Sequence, residues 1–206
     1  MATLKLGFAL EGNSDYPVLP VLSGRVIHAY SADIELTREE LRPRKRGHGF
    51  VKELPTFAAQ LNDKGVDIVV AVVDTDTARV GERRGLLADA RRRCAEMGLP
   101  VCIADGLAVH ALEAWLLADE VAIFEVFDGD RRTVTFPACE NDQTPKATLN
   151  SIVRTLTEGQ EISFVTHADE LAQRIELGLL RQRCRHFDEF ARNLLNCVRE
   201  WQRLAR

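Results

Sequence analysis

No apolar run in this sequence approaches the roughly 20 residues that a membrane-crossing helix needs, which excludes a bilayer-spanning role. Also lacking is a basic N-terminal region followed by an apolar stretch and a small-residue cleavage site, so no secretory signal is expected and a cytoplasmic location follows. A basic surplus is missing too: net charge is −4, so the chain does not coat nucleic acid with its whole surface, and any such contact must come from a local patch. The five cysteines (Cys94, Cys102, Cys139, Cys184 and Cys197) are odd in number and widely spaced, with no C-x-x-C pair for zinc or a redox disulfide. They are expected to be reduced thiols, with Cys102 packing as a small hydrophobe in its apolar segment.

What is present fits a folded enzyme-sized chain. Of the 206 residues, 46% are hydrophobic and 28% charged, enough for one α/β domain with a helical extension. The first hundred residues alternate apolar runs with helix-like patterns, the rhythm of βαβ units around a parallel sheet. An apolar run from Leu4 to Leu10 reads as the first strand. A helix from Ser14 to about Val26, capped by Asn13 or Ser14, is expected after it. Ile34 to Thr37 reads as a short strand, and Phe50 to about Asn62 as a helix with Leu54, Phe57, Ala58 and Leu61 on one face. The run Val66 to Val73 alternates too little for a strand with one wet face and is expected at the sheet centre. An Arg- and Ala-rich helix from about Arg83 to Met97 leads to a strand at Val101–Ala104. A helix over Val109–Asp119 would then carry His110, Glu113 and Trp115. Beyond it helices dominate: Val121–Phe127, Pro145–Leu156, Ala168–Leu180 and Phe187–Leu204. The expected division is an α/β core over residues 1–120 and a helical extension over 121–206 packed on it.

The chemistry-bearing residues cluster at strand ends. Glu11 closes the first strand, and Asp74 and Asp76 close the central one; ligands of open α/β sheets bind at the carboxyl ends of the strands. Magnesium prefers oxygen ligands and keeps several waters, so Glu11, Asp74 and Asp76 meet its needs, with Glu113 as a further acid. Gly12 permits a tight turn and close approach of a ligand to the backbone. Gly47 and Gly49 flank His48 before a helix and offer backbone N–H groups next to Arg44, Lys45 and Arg46, a cradle for phosphate; a solvated basic loop is the alternative. Lys146, at a helix start where the dipole does not favour a cation, marks an anionic partner or an exposed lysine. His110 is read as a satisfied polar residue before a ligand, and Arg181, Arg183, Arg185 and His186 as a solvated basic face.

Glu11-Gly12-Asn13-Ser14-Asp15 and Asp74-Thr75-Asp76 resemble the first-strand E-G-x-S-D and the D-x-D of the Toprim-like proteins, the fold shared by topoisomerases, primases and overcoming-lysogenization-defect nucleases. Leu112 to Asp119 (L-E-A-W-L-L-A-D), Pro145-Lys146 and Cys184-Arg185-His186-Phe187 are similar to a bacterial Toprim-like family of unknown function, considered in the setting of phage defence and mobile elements. The resemblance implies a Rossmann-like parallel sheet flanked by helices and a Mg²⁺ or Mn²⁺ site. In it Glu11 would be the general acid/base and Asp74 and Asp76 the ligands. Tyr16 and Tyr30 are the only tyrosines, and no room exists for the separate nucleophile domain of a topoisomerase or the partner domains of a primase. A Mg²⁺-dependent nuclease or related phosphodiesterase acting on nucleic acid, with an ATPase as a candidate partner, is the leading expectation. A binding or sensor module without turnover is the second, and a small-nucleotide hydrolase or transferase the third.

Overall fold

The computed structural model describes residues 2–43, 47–128, 134–160 and 162–204. Four strands, β1 (Ala2–Ala9), β2 (Ile34–Leu41), β3 (Ile68–Thr75) and β4 (Cys102–Val109), form one sheet in the order β2-β1-β3-β4, all pairs parallel. Three helices connect them: α1 (Leu19–Tyr30), α2 (Gly47–Asn62) and α3 (Val80–Glu96). The chain leaves β1 toward β2 on one side, then crosses to β3 on the other. The order therefore reverses between β1 and β3, and such a reversal opens a crevice at the strands' carboxyl ends.

From Ile68 to Val73 β3 is apolar and buried because both faces are covered. Its even-numbered residues Ile68, Val70 and Val72 join one core with Leu4, Leu6 and Phe8 of β1, whereas Val69, Ala71 and Val73 join a second core with Phe50, Leu54 and Leu61 of α2 and Leu87 of α3. The two-residue period of the strand thus feeds two layers.

The first core continues into the C-terminal helices: α4 (Glu113–Leu116), α5 (Glu120–Phe127), α6 (Pro145–Leu156), α7 (Ala168–Arg174), α8 (Leu177–Arg183) and α9 (Arg185–Leu204). In α9, Phe187, Phe190, Ala191, Leu194 and Val198 recur at three- and four-residue intervals and are buried, so one stripe packs inward. Phe190 lies so close to β4 that a Cβ at Gly106 would sit 2.9 Å from the Phe190 Cβ, and glycine there lets helix and strand meet. Trp115, fully buried, lies with its ring centroid 5.1 Å from that of Phe187 and 5.9 Å from that of Phe190.

Several expectations are corrected. The cysteines are not all reduced: Cys102 of β4 and Cys197 of α9 form a disulfide across 95 residues, while Cys94, Cys139 and Cys184 are free and buried. Packing of α9 against β4 brings the Cα atoms of Cys102 and Cys197 within 5.6 Å, within the span a disulfide bridges. The first crossover helix begins at Leu19 rather than Ser14. Asp15 turns its carboxylate back to accept from the Gly12 amide at 2.9 Å, a local bond that holds a turn where the helix was expected. β4 runs to Val109, pairing with Thr75, and the His110 amide donates to the Thr75 carbonyl at 2.7 Å. Continuing the ladder takes the segment from Val109 to Leu112 away from the expected helix, so His110 and Glu113 share no helical face; His110 has φ of 66°. The helix expected over 168–180 breaks at Ile175, because the Glu176 amide donates to Asp119 Oδ2 at 2.9 Å and the Glu176 carboxylate caps α8. Both shorter strands also extend beyond their expected ends, to Leu41 and Val109.

Candidate functional site

At the β1/β3 switch point the structure gathers four carboxylates. Glu11 follows β1, Asp15 stands in the turn after it, Asp74 ends β3, and Glu113 opens α4 just beyond β4. Glu11 Oε2 accepts from the Gly47 amide at 2.8 Å, which ties the end of β1 to the start of α2. Asp15 is only 7% exposed and binds the Gly12 amide. Glu113 is 4% exposed, and its Oε1 accepts no hydrogen bond; the Lys146 ammonium, on the second residue of α6, lies 3.8 Å from that oxygen.

The charges of this group act on one another. Asp74 is raised from 3.8 to about 8, first by desolvation in the crowded crevice and then by the negative charges of Asp15, Glu113 and Glu11, with a hydrogen bond from the Leu112 backbone opposing the rise. The Asp74 residue is nonetheless open to solvent at the crevice mouth, so water screens part of the effect. Asp15 is raised to about 6 by burial, with the Gly12 hydrogen bond opposing and the charges of Glu113 and Glu11 adding to it. Like-charged neighbours of this kind are what a bound cation relieves.

The expected residues divide accordingly. Glu11, Asp74 and Glu113 are brought together with Gly12, Gly47 and Lys146 around them. Asp76 stands apart from these acids in its interactions: the charges that act on Asp74 are those of Asp15, Glu113 and Glu11. Asp76 is exposed and pairs with Arg79 at 3.5 Å. Gly49 lies in the first turn of α2. Arg44, Lys45 and Arg46 lie outside the described residues. His110 Nε2 is 3.2 Å from the Thr77 hydroxyl. The basic stretch on α8 and α9 is engaged rather than merely solvated. Arg183 donates to the Ala118 carbonyl at 2.8 Å, His186 Nδ1 lies 2.9 Å from Glu140 Oε2, and Arg181 and Arg185 pair with Asp188 and Glu189. Asp119, at the close of E-A-W-L-L-A-D, has a structural role: it accepts from the Val121, Ala122 and Glu176 amides.

The residue added by the structure is Asp15. Its signal in the sequence is Gly-Asn-Ser-Asp after a strand, a pattern in which an aspartate bonds a nearby amide and holds a carboxylate beside the turn. Among the described residues no group of three or more His, Cys, Asp or Glu side chains forms a ready-made metal cage. The donor set is nevertheless oxygen-only, mutually repelling and includes the orphaned Glu113 Oε1, which suits a hard cation that retains several waters.

A parallel α/β sheet with an acidic crevice at its switch point is the class that fold and site define. The chain belongs to the family described as Domain of unknown function (DUF4276), which matches residues 25–195. Asp74, Glu113 and Lys146 fall within the matched residues, and Glu11 and Asp15 precede them. Comparison with curated proteins and with solved structures yields no match. No helix among the described residues is long and apolar enough to cross a membrane.

Proposed function

We propose that this chain is a Mg²⁺- or Mn²⁺-dependent nuclease or related phosphodiesterase of Toprim-like kind, acting on nucleic acid in phage defence with an ATPase partner. The observation that carries the reading is the convergence of Glu11, Asp15, Asp74 and Glu113 at the β1/β3 reversal, where desolvation first and then like charge raise Asp74 to about 8. The motif positions support it: the acids of E-G-x-S-D follow β1, and the first acid of D-x-D lies near the end of β3, the strand paired with it.

Asp74 and Glu113 are the residues that would hold the ion, with Asp15 adding charge behind them. Bound there, the ion would lower the pKa of a water and steady charge on the phosphoryl oxygens. Glu11 would take the proton from that water; the Gly47 amide, which donates to its Oε2, and its position just beyond β1 support the role. Lys146 balances the buried Glu113 charge and presents an exposed ammonium to an anionic strand. Asp76, paired with Arg79, has no assigned role in this scheme.

The want of a ready-made cage among the described residues favours a second reading, a nucleic-acid or partner-binding sensor that keeps the acidic crevice without turnover. Titration of Mg²⁺ and Mn²⁺ with labelled single- and double-stranded DNA and RNA separates the two. Cleavage by the wild type that vanishes in Asp74→Ala supports the nuclease. Tight binding without cleavage under every metal supports the sensor.

A further inference from the structure

The arginines along α3 are, with one exception, spoken for. Arg84 pairs with Glu189, Arg91 with Asp105, Arg92 with Asp89 and Glu96, and Arg93 donates to the Lys52 carbonyl. Arg83 differs. It is only 8% exposed, and its Nε and Nη1 are buried with no hydrogen-bond partner. A guanidinium does not give up its proton in proteins, so this charge stays buried whether or not an anion answers it. Left unanswered, it is a standing cost to the fold.

The guanidinium points at the start of α2. Its Nη2 lies 3.3 Å from where a Cβ on Gly47 would stand, and Gly47 itself has φ of +56°, so a glycine both adopts the backbone and leaves room beside the cation. α2 runs 16 residues from Gly47 to Asn62, and the amides of its first turn, at His48 and Gly49, have no partner within the helix. Those amides carry the positive end of the helix dipole. Two independent donors thus meet at one place: an orphaned buried guanidinium and a helix N-terminus.

We propose that Arg83 and the first turn of α2 form a subsite for a phosphoryl group beside the acidic crevice. The guanidinium offers a planar fork that matches phosphate oxygens, and the helix amides supply further donors. Gly47 connects the subsite to the crevice, since its amide holds Glu11 while its α-carbon faces Arg83. The neighbouring Glu82 is 3.9 Å from His48 Nδ1, which draws that carboxylate toward the imidazole. The proposal rests on the phosphodiester reading for the identity of its ligand, a phosphoryl group of a nucleic-acid strand, and assigns where that group would be gripped.

Inorganic phosphate is the direct probe, added to the whole chain in EDTA against chloride at matched ionic strength, and followed by calorimetry and thermal unfolding. The wild type is expected to bind phosphate and to rise in Tm with it. Arg83→Met should bind about tenfold more weakly or not at all, as expected for loss of a charge-assisted contact. Its Tm without phosphate should equal or exceed that of the wild type, because a buried unpaired charge has gone. Arg83→Lys, which keeps the charge and loses the fork, should also bind less well. Amide hydrogen exchange on the wild type adds a readout free of variants: phosphate should slow exchange at His48 and Gly49.

A wild type indifferent to phosphate, unchanged exchange at those amides, or an Arg83→Met variant that binds as tightly would overturn the subsite. Because no metal and no turnover enter, phosphate binding that depends on Arg83 stands even if Mg²⁺ cleavage assays reject the nuclease. Oligonucleotides with a 5′-phosphate or a 5′-hydroxyl then separate two sources. Arg83-dependent preference for the former assigns a terminal phosphate, and equal Arg83-dependent binding assigns an internal phosphodiester. Binding of both without any dependence on Arg83 counts against the proposal.

Discussion

The Lys146 ammonium stands 3.8 Å from Glu113 Oε1, joining the first turn of α6 to the acidic crevice across 33 positions of sequence. The pair couples the C-terminal helices to the strand ends, so the acidic crevice is not built by the sheet alone. Glu113 is buried and Lys146 exposed, which sets the weight of the pair: water screens the lysine, while the carboxylate has little other compensation. Lys146→Met should therefore cost about 1 kcal/mol at neutral pH, measured by urea unfolding. Adding Glu113→Gln should recover most of that loss, since the double variant leaves no uncompensated charge. Strict additivity of the two single changes would contradict the coupling.

The raised carboxyls make stability depend on pH in a definite direction. Asp15 at about 6 and Asp74 at about 8 both bind protons more tightly in the folded chain than at the ordinary value of 3.8. Between pH ~4 and pH ~8 the folded state thus holds more protons than the unfolded one, and stability falls as pH rises through that window. Above it the curve flattens on their account. Asp74→Asn should shrink the fall between pH 6 and pH 8 and unfold at a higher temperature than the wild type at pH 8, leaving the part due to Asp15 below pH 6. An unchanged slope in the variant, or a wild type that gains stability across the window, would contradict the assignment. Mg²⁺ at pH 8 should raise the Tm of the wild type and do so less in Asp74→Asn.

The Cys102–Cys197 bridge pins α9 to the edge strand of the sheet. Closing a loop of 95 residues constrains the unfolded chain strongly, so reduction, or Cys197→Ser, should lower stability by about 2–4 kcal/mol. Denaturant unfolding with and without reductant measures it, with Cys197→Ser insensitive to reductant at that bridge. Equal stability in both conditions would show that α9 docks without help from the bond.

Local chemistry made parts of this fold legible and left others hidden. The Val66–Val73 run marks an inner strand because a strand covered on both faces is apolar on both, and β3 is buried that way from Ile68 to Val73. Glu11 and Asp74 announce themselves as acids ending apolar runs. Asp76 is less legible, since a D-x-D looks the same whether its second acid faces the crevice or, as here, pairs with Arg79 in solvent. The His110 segment misleads for another reason: strand pairing with Thr75, made between distant parts of the chain, overrides a three-residue spacing that suits a helix. Arg83 is invisible among the many arginines of its segment, as only packing makes it the buried one. The disulfide is equally hidden, because neither cysteine carries a spacing that identifies its partner.

The central claim is that Glu11, Asp74 and Glu113, far apart along the chain, surround one divalent cation, and a crystal soaked in manganese tests it most directly. The account predicts an anomalous peak in the crevice between β1 and β3, coordinated by Asp74 and Glu113 and lost in Asp74→Asn. A crevice without the peak, with those carboxylates turned from one another at pH 8, would contradict it.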